Sequence, residues 1–126
     1  MTPKNKELLL KDLCARLPYM PKIKIIYQQQ GVKGTDEGNV SCDFIEKIVN
    51  DLRNGVITNI QIYLRPMSSM TEEERRTYDN LACDFDGISM ANSIDWLNEN
   101  MFDYRGLISM GLALKASEGM YNIISI

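Results

Sequence analysis

Apolar residues recur at helical spacing near the start of the chain. Leu8, Leu9, Leu13 and Leu17 fall on one stripe, Pro3 suits a first turn and Pro18 a stop, so the spacing predicts a helix over residues 4–17. The rhythm then changes to alternation. Ile23, Ile25 and Tyr27 alternate with Lys22, Lys24 and Ile26, which predicts a strand over 22–30. GVKGTDEG, residues 31–38, carries three glycines and an aspartate and reads as a turn or hairpin loop, with 39–42 as a short returning strand. Helical spacing returns at Phe44, Ile45, Ile48, Val49 and Leu52, predicting a helix over 43–54 with Ser41 or Asp43 as cap and Gly55 as stop. Ile60, Ile62 and Leu64 against Asn59, Gln61 and Tyr63 predict a strand over 56–64, which Pro66 ends.

The second half is patterned as helix. Thr71 and Glu74 have the spacing of a capping box, with Ser69 and Glu72 as an alternative register, and Glu72 to Glu74 suit the positive end of a helix dipole. Tyr78, Leu81, Ala82 and Phe85 then share one face, and DFDG, residues 84–87, breaks the helix. Met90, Ile94, Leu97 and Met101 form the next apolar stripe, with Trp96 beside it. Asp103 can cap a further short helix through Met110 that Gly111 ends, and LALKA, residues 112–116, suits a short strand. The tail after Gly119 is apolar enough to dock. These elements predict a single small α+β domain over residues 1–126: an amino-terminal helix, a short antiparallel β section and a helical carboxy-terminal half.

Composition agrees with an ordinary globular chain. Of 126 residues, 44% are hydrophobic and 25% charged, enough to bury a core without a metal or disulfide staple. The formal charge is −3, which disfavours nucleic acid as a partner. Charge is also uneven: residues 1–30 carry a net +4 and residues 71–126 a net −6, as two solvated faces or as a basic patch for an acidic partner. No apolar run approaches the ~18–20 residues of a membrane span, so the expectation is a cytoplasmic protein without membrane contact.

The residue inventory narrows the chemistry. There is no histidine, which excludes imidazole bases and ligands. Cys14, Cys42 and Cys83 form no CxxC pair and read as free thiols on or near the core. Asp84, Asp86 and Gly87 open like a calcium loop, but the glycine stands at the fourth position and Asp95 at the twelfth, so a solvated acidic corner fits better than a magnesium site with Glu72 to Glu74. The serines at 68, 69, 89 and 93 have no base and no GxSxG elbow. No catalytic, cofactor or metal residue is therefore assigned, and the chain reads as a non-enzyme.

Two places carry residue types suited to binding. Arg65 precedes Pro66-Met67-Ser68-Ser69-Met70, where helix-start amides and serines could hold a phosphate; without a glycine to wrap an anion, a rigid capped turn explains the same residues. Tyr104 and Arg105 follow Asp103, and Tyr and Arg are common interface anchors. Arg65, Tyr104 and Arg105 are the candidate interaction surface. The alternative is a DNA-associated regulator: residues 90–116 could form a helix-turn-helix with a wing, though Arg105 and Lys115 are its only cations.

The strings YLRPMSSMTEEE (63–74) and FDYRGLISMGLAL (102–114), with LLLKDLCARLPY (8–19), DWLNEN (95–100) and EGMY (118–121), resemble an uncharacterised small-protein family of gut Bacteroidales genomes and their prophages. The resemblance covers both ends and the join at 57–74 and is weakest across 22–56. It implies a bacterial, phage-related, cytoplasmic setting, and neither a catalytic residue nor a fold. The combined expectation is a non-enzymatic accessory protein that works by contact with another protein.

Overall fold

The first helix is set by its cap. The Thr2 hydroxyl oxygen accepts from the Asn5 amide at 3.1 Å, Pro3 occupies the first turn, and α1 runs Pro3–Arg16. In the computed structural model, which describes residues 2–82 and 87–121, Leu9 and Leu13 of α1 are fully buried. Pro18 ends α1 in a 3-10 turn over Leu17–Tyr19.

Strands β1 (Lys22–Gln29) and β2 (Val32–Asn39) form a hairpin whose loop is Gln30 and Gly31 alone. Both are left-handed, at φ 51° and 78°, the signature of a type I′ turn. Residues 31–38 are thus mostly strand, where their glycines predicted a loop. Pairing with β1 along the whole length outweighs the modest strand penalty of Gly34 and Gly38. The Tyr27 ring also lies where a side chain at residue 34 would stand, so a glycine there fits the strand.

Helix α2 (Ile45–Arg53) follows a 3-10 turn, Cys42–Phe44, and neither Ser41 nor Asp43 caps it. Gly55, at φ 78°, turns the chain into β3 (Ile57–Pro66). Ile60, Ile62 and Leu64 of β3 are buried, the face that alternation predicted, and Ile57 is buried as well, beyond a register shift in the β1–β3 pairing. They meet Leu9, Leu13, Ile23, Ile48, Leu52, Met101, Leu107 and Leu112 in one core.

Helices α3 (Glu72–Ala82) and α4 (Gly87–Glu99) then carry the chain across to β4 (Phe102–Asp103), and β5 (Ala113–Lys115) follows. The sheet order is β2-β1-β3-β4, with β5 also on β3. β1 lies antiparallel to both β2 and β3, whereas β4 and β5 both run parallel to β3, at Arg65↔Phe102 and Ile62↔Ala113. The sheet is therefore mixed. A helical crossover between β3 and β4 is what makes parallel pairing possible, and strand patterning alone could not reveal it. The fold is a single-domain α+β arrangement, as the element pattern predicted.

Two further expectations are corrected. Residues 103–110 are not a helix. Phe102 and Asp103 are held extended by β3, and the Asp103 carboxylate accepts from the Leu107 and Ile108 amides at 2.8 and 2.9 Å, fixing a series of turns. The helix pair of a DNA reader over 90–116 is accordingly not formed. Cys14 and Cys42 are exposed instead of lying near the core; Cys83, Asp84, Phe85, Asp86 and the tail 122–126 fall outside the described residues.

Candidate functional site

The join after β3 is built from local bonds. Pro66 keeps Arg65 extended, and the Ser69 hydroxyl donates to the Pro66 carbonyl at 2.6 Å across a 3-10 turn. The capping box forms in the Thr71 register: the Glu74 amide donates to the Thr71 hydroxyl oxygen at 3.1 Å, and the Thr71 amide to the Glu74 carboxylate at 3.0 Å. The same carboxylate takes a two-pronged grip from Arg65, at 2.8 and 2.7 Å. Partial burial pushes the Glu74 carboxyl up, but the Arg65 guanidinium and the Thr71 amide and hydroxyl outweigh it and hold it below the ordinary value.

Arg65 also lies 4.2 Å above the Phe102 ring centre. Phe102 stacks on Trp96 at 5.7 Å, and Trp96 on Tyr78 at 6.1 Å. These rings tie the crossover helices to the strand ends. Beside them opens a cleft of about 770 Å³, at the carboxyl ends of β3 and β5 and the start of α3. Ligands of open α/β sheets commonly sit at such a place.

Within the cleft wall the polar groups mostly serve the fold. Glu74 holds Arg65, Thr71 caps α3, Ser69 closes its turn, and the Thr77 hydroxyl donates to the Glu73 carbonyl at 3.0 Å. At the opposite wall the Tyr121 hydroxyl donates to the Tyr63 carbonyl at 2.6 Å and accepts from the Lys22 amide at 2.9 Å. Burial pushes that phenol up to about 12, the bonds to Lys22 and the charge of Arg16 opposing the rise. No base and nucleophile are seen to converge in this wall.

Tyr104 and Arg105 belong to a different cluster. Asp12, fully buried, accepts from Arg16 at 2.9 and 3.1 Å and from Arg105 at 3.0 Å. Arg16 also donates to the Phe102 carbonyl at 2.7 Å. The Tyr104 hydroxyl accepts from Arg105 at 3.1 Å and donates to the Asn98 side chain at 2.9 Å. Arg65 on one side, and Tyr104 with Arg105 on the other, thus take different hydrogen-bond partners. Arg65 serves the cleft and the other two serve α1, and only 20% of the Arg65 side chain and 23% of the Arg105 side chain stay exposed.

Sequence reading missed Asp12 and Arg16. Their signal was position: Leu9, Asp12, Leu13 and Arg16 have the i, i+3, i+4, i+7 spacing of a buried helical face. It also read only half of the α4 stripe correctly. Leu97 and Met101 are buried as the spacing predicts, but Met90 and Ile94 are exposed, while Ser93 and, just past α4, Asn100 are buried. The inward polar groups are satisfied locally, Ser93 by the Met90 carbonyl at 2.7 Å and Asn100 by the Trp96 carbonyl at 2.9 Å. Ile88, 75% exposed, Met90, 54%, and Ile94, 43%, are left to solvent.

Among the described residues no three Cys, Asp or Glu side chains gather as metal ligands, and no helix is long and apolar enough to cross a membrane. Compared with protein families, curated proteins and solved structures, the chain matches none of them.

Proposed function

We propose that the chain is a non-enzymatic accessory protein that works by contact with another protein through the exposed apolar pair Met90 and Ile94 of α4. The observation that carries this reading is an apolar stripe only half covered: Leu97 is buried, while Met90 and Ile94, earlier on the same stripe of α4, are 54% and 43% exposed. Met90 and Ile94 stand one turn apart as an exposed apolar pair, the residue type found at the core of docking faces. The resemblance to a Bacteroidales and prophage family supports a bacterial cytoplasmic setting. The missing histidine and the local commitment of the cleft's polar groups support a role other than catalysis.

The test compares wild type with Met90→Glu and Ile94→Glu in affinity purification from a Bacteroidales host, followed by cross-linking and mass spectrometry. Exposed positions change stability by only about 0.5 kcal/mol, so both variants should melt like wild type. The expected result is a partner cross-linked near α4 and lost in both variants. A partner retained at full strength by both variants overturns the reading, as does sequence-specific binding to duplex DNA.

A further inference from the structure

The outer edge of β2 follows from its hairpin. A two-residue loop makes the flanking pair, Gln29 and Val32, exchange both hydrogen bonds, and bonded pairs alternate from there. Val32, Gly34, Asp36 and Gly38 therefore aim their backbone at β1, and the Val40 amide keeps the rhythm by donating to the Pro21 carbonyl at 2.9 Å. Lys33, Thr35 and Glu37 aim theirs away from the sheet. Among the described residues β2 is the end of the sheet, and no strand pairs with it on that side. An open edge of this kind is a template for another strand.

About Thr35 the strand is its own complement. Two chains paired antiparallel there bring Thr35 opposite the copy's Thr35, and each Lys33 opposite the other chain's Glu37. These positions carry the outward backbone groups, so the ladder and the charge pairs fall in one register. Glu37 gives Oε1 to the Tyr63 hydroxyl, and the long stem of lysine reaches its other oxygen. The residues between them, on the opposite face, also match. Val32, 63% exposed, comes opposite Gly38. A side chain at Gly38 would meet nothing within 4 Å, and a groove of about 310 Å³ between the hairpin and α2 opens there, lined by Ile23, Ile25 and Phe44. Asp36 comes opposite Gly34, over which the Tyr27 hydroxyl lies ready to donate to it. In the single chain the Asp36 carboxylate accepts from the Glu37 amide at 2.9 Å; in the pair the copy's Lys33 carbonyl takes over that amide. Adjacent registers lose this match. One step along the ladder centres the pair on Asp36 and sets like charges face to face. One step back centres it on Gly34 and leaves Lys33 opposite Thr35 and Glu37 opposite Gly31.

We propose that β2 is a self-complementary edge through which two copies of this chain pair antiparallel about Thr35, joining their sheets. The main-chain bonds and Val32 in its hollow supply the attraction. Exposed ion pairs add little affinity, and here Lys33 with Glu37 sets the register and selects the partner. The contact uses the same patch on both chains, so it closes at two. The edge is distinct from Met90 and Ile94 of α4 and does not rest on the reading given to them.

Sedimentation velocity of the full chain, from micromolar to millimolar concentration, reads the monomer–dimer equilibrium. The expected result is a dimer whose formation slows amide exchange at Lys33, Thr35 and Glu37. Lys33→Glu sets glutamate opposite Glu37, and Glu37→Lys sets lysine opposite Lys33, so each variant alone should dimerise roughly tenfold more weakly than wild type. Mixed in equal amounts, the two variants restore both charge pairs and should form a heterodimer roughly as tight as the wild-type dimer, a gain that misfolding cannot produce. Thr35→Pro removes an outward amide without touching the β1 ladder and should leave a monomer that melts like wild type. Ile94→Glu should leave the dimer unchanged, which separates this edge from α4. A chain that stays monomeric throughout the range overturns the pairing. So does a mixture of the charge variants no tighter than either alone, and so does a dimer that survives Thr35→Pro.

Discussion

Asp12 is a single buried carboxylate answering two guanidiniums. Arg16 is wholly enclosed and Arg105 closes the cluster from the surface, so the aspartate neutralises charge that has no route to water on the Arg16 side. Removing one partner of a buried pair leaves the other charge unpaired, at a cost of about 3–5 kcal/mol. Asp12→Ala should therefore lower unfolding free energy by that order in urea titration, and Arg105→Met by distinctly less, because Arg105 sits at the rim. Equal losses would show that the cluster is not organised around Asp12. Glu74 gives a pH signature at the same scale. Its carboxyl is held below the ordinary value of 4.5 in the folded state, so the folded protein favours the ionised form. The resulting stability is fully present above the unfolded carboxyl's value and is lost as pH falls through the lower folded one. Glu74→Gln should flatten that acid limb of the stability curve, measured by urea midpoints between neutral pH and pH 3. An unchanged limb would mean that Arg65 does not hold Glu74 in solution.

At the scale of elements, local signals written into the chain were the ones legible in its sequence. The box of Thr71 and Glu74 formed as spaced, because both partners lie within one turn. The turn at Gly55 and the alternating face of β3 were legible for the same reason. What escaped depended on distant partners. β2 reads as a loop until β1 is laid beside it, and residues 103–110 read as a helix until β3 holds Phe102 and Asp103 extended. The exposure of Met90 and Ile94 escaped because they share the periodicity of buried Leu97 and Met101, and only the fold decides how far along that stripe is covered. Arg65 was singled out from its motif, but its grip on Glu74 and Phe102 needed the crossover to exist. The cap itself is open to measurement. Thr71→Ala removes the acceptor of the Glu74 amide and should cost about 0.5–2 kcal/mol. Ser69→Ala loses only an exposed bond to the Pro66 carbonyl and should cost less. Thermal melts of the two variants should fall in that order; a Ser69 loss equal to that of Thr71 would show that both registers of the box are used.

Across the whole molecule, stability is distributed unevenly. The sheet and α1 share the core of Leu9, Leu13, Ile23, Ile60, Ile62 and Leu64, each at most 1% exposed. The crossover is different: α3 contains no buried residue. It is held through its neighbours, by Tyr78 stacked on Trp96, Trp96 on Phe102, and Glu74 clasped by Arg65. Elements with little buried apolar surface open at lower free energy than the core they lean on. Native-state hydrogen exchange should accordingly find the α3 amides exchanging through a sub-global opening, while those of β1 and β3 wait for complete unfolding. Trp96 is the middle ring of the stack, so Trp96→Ala should speed exchange in α3 far more than it lowers the protection of β3. Protection in α3 as high as in β3, in wild type and variant alike, would mean that the crossover belongs to the same cooperative unit as the sheet and that the ring stack is not its hinge.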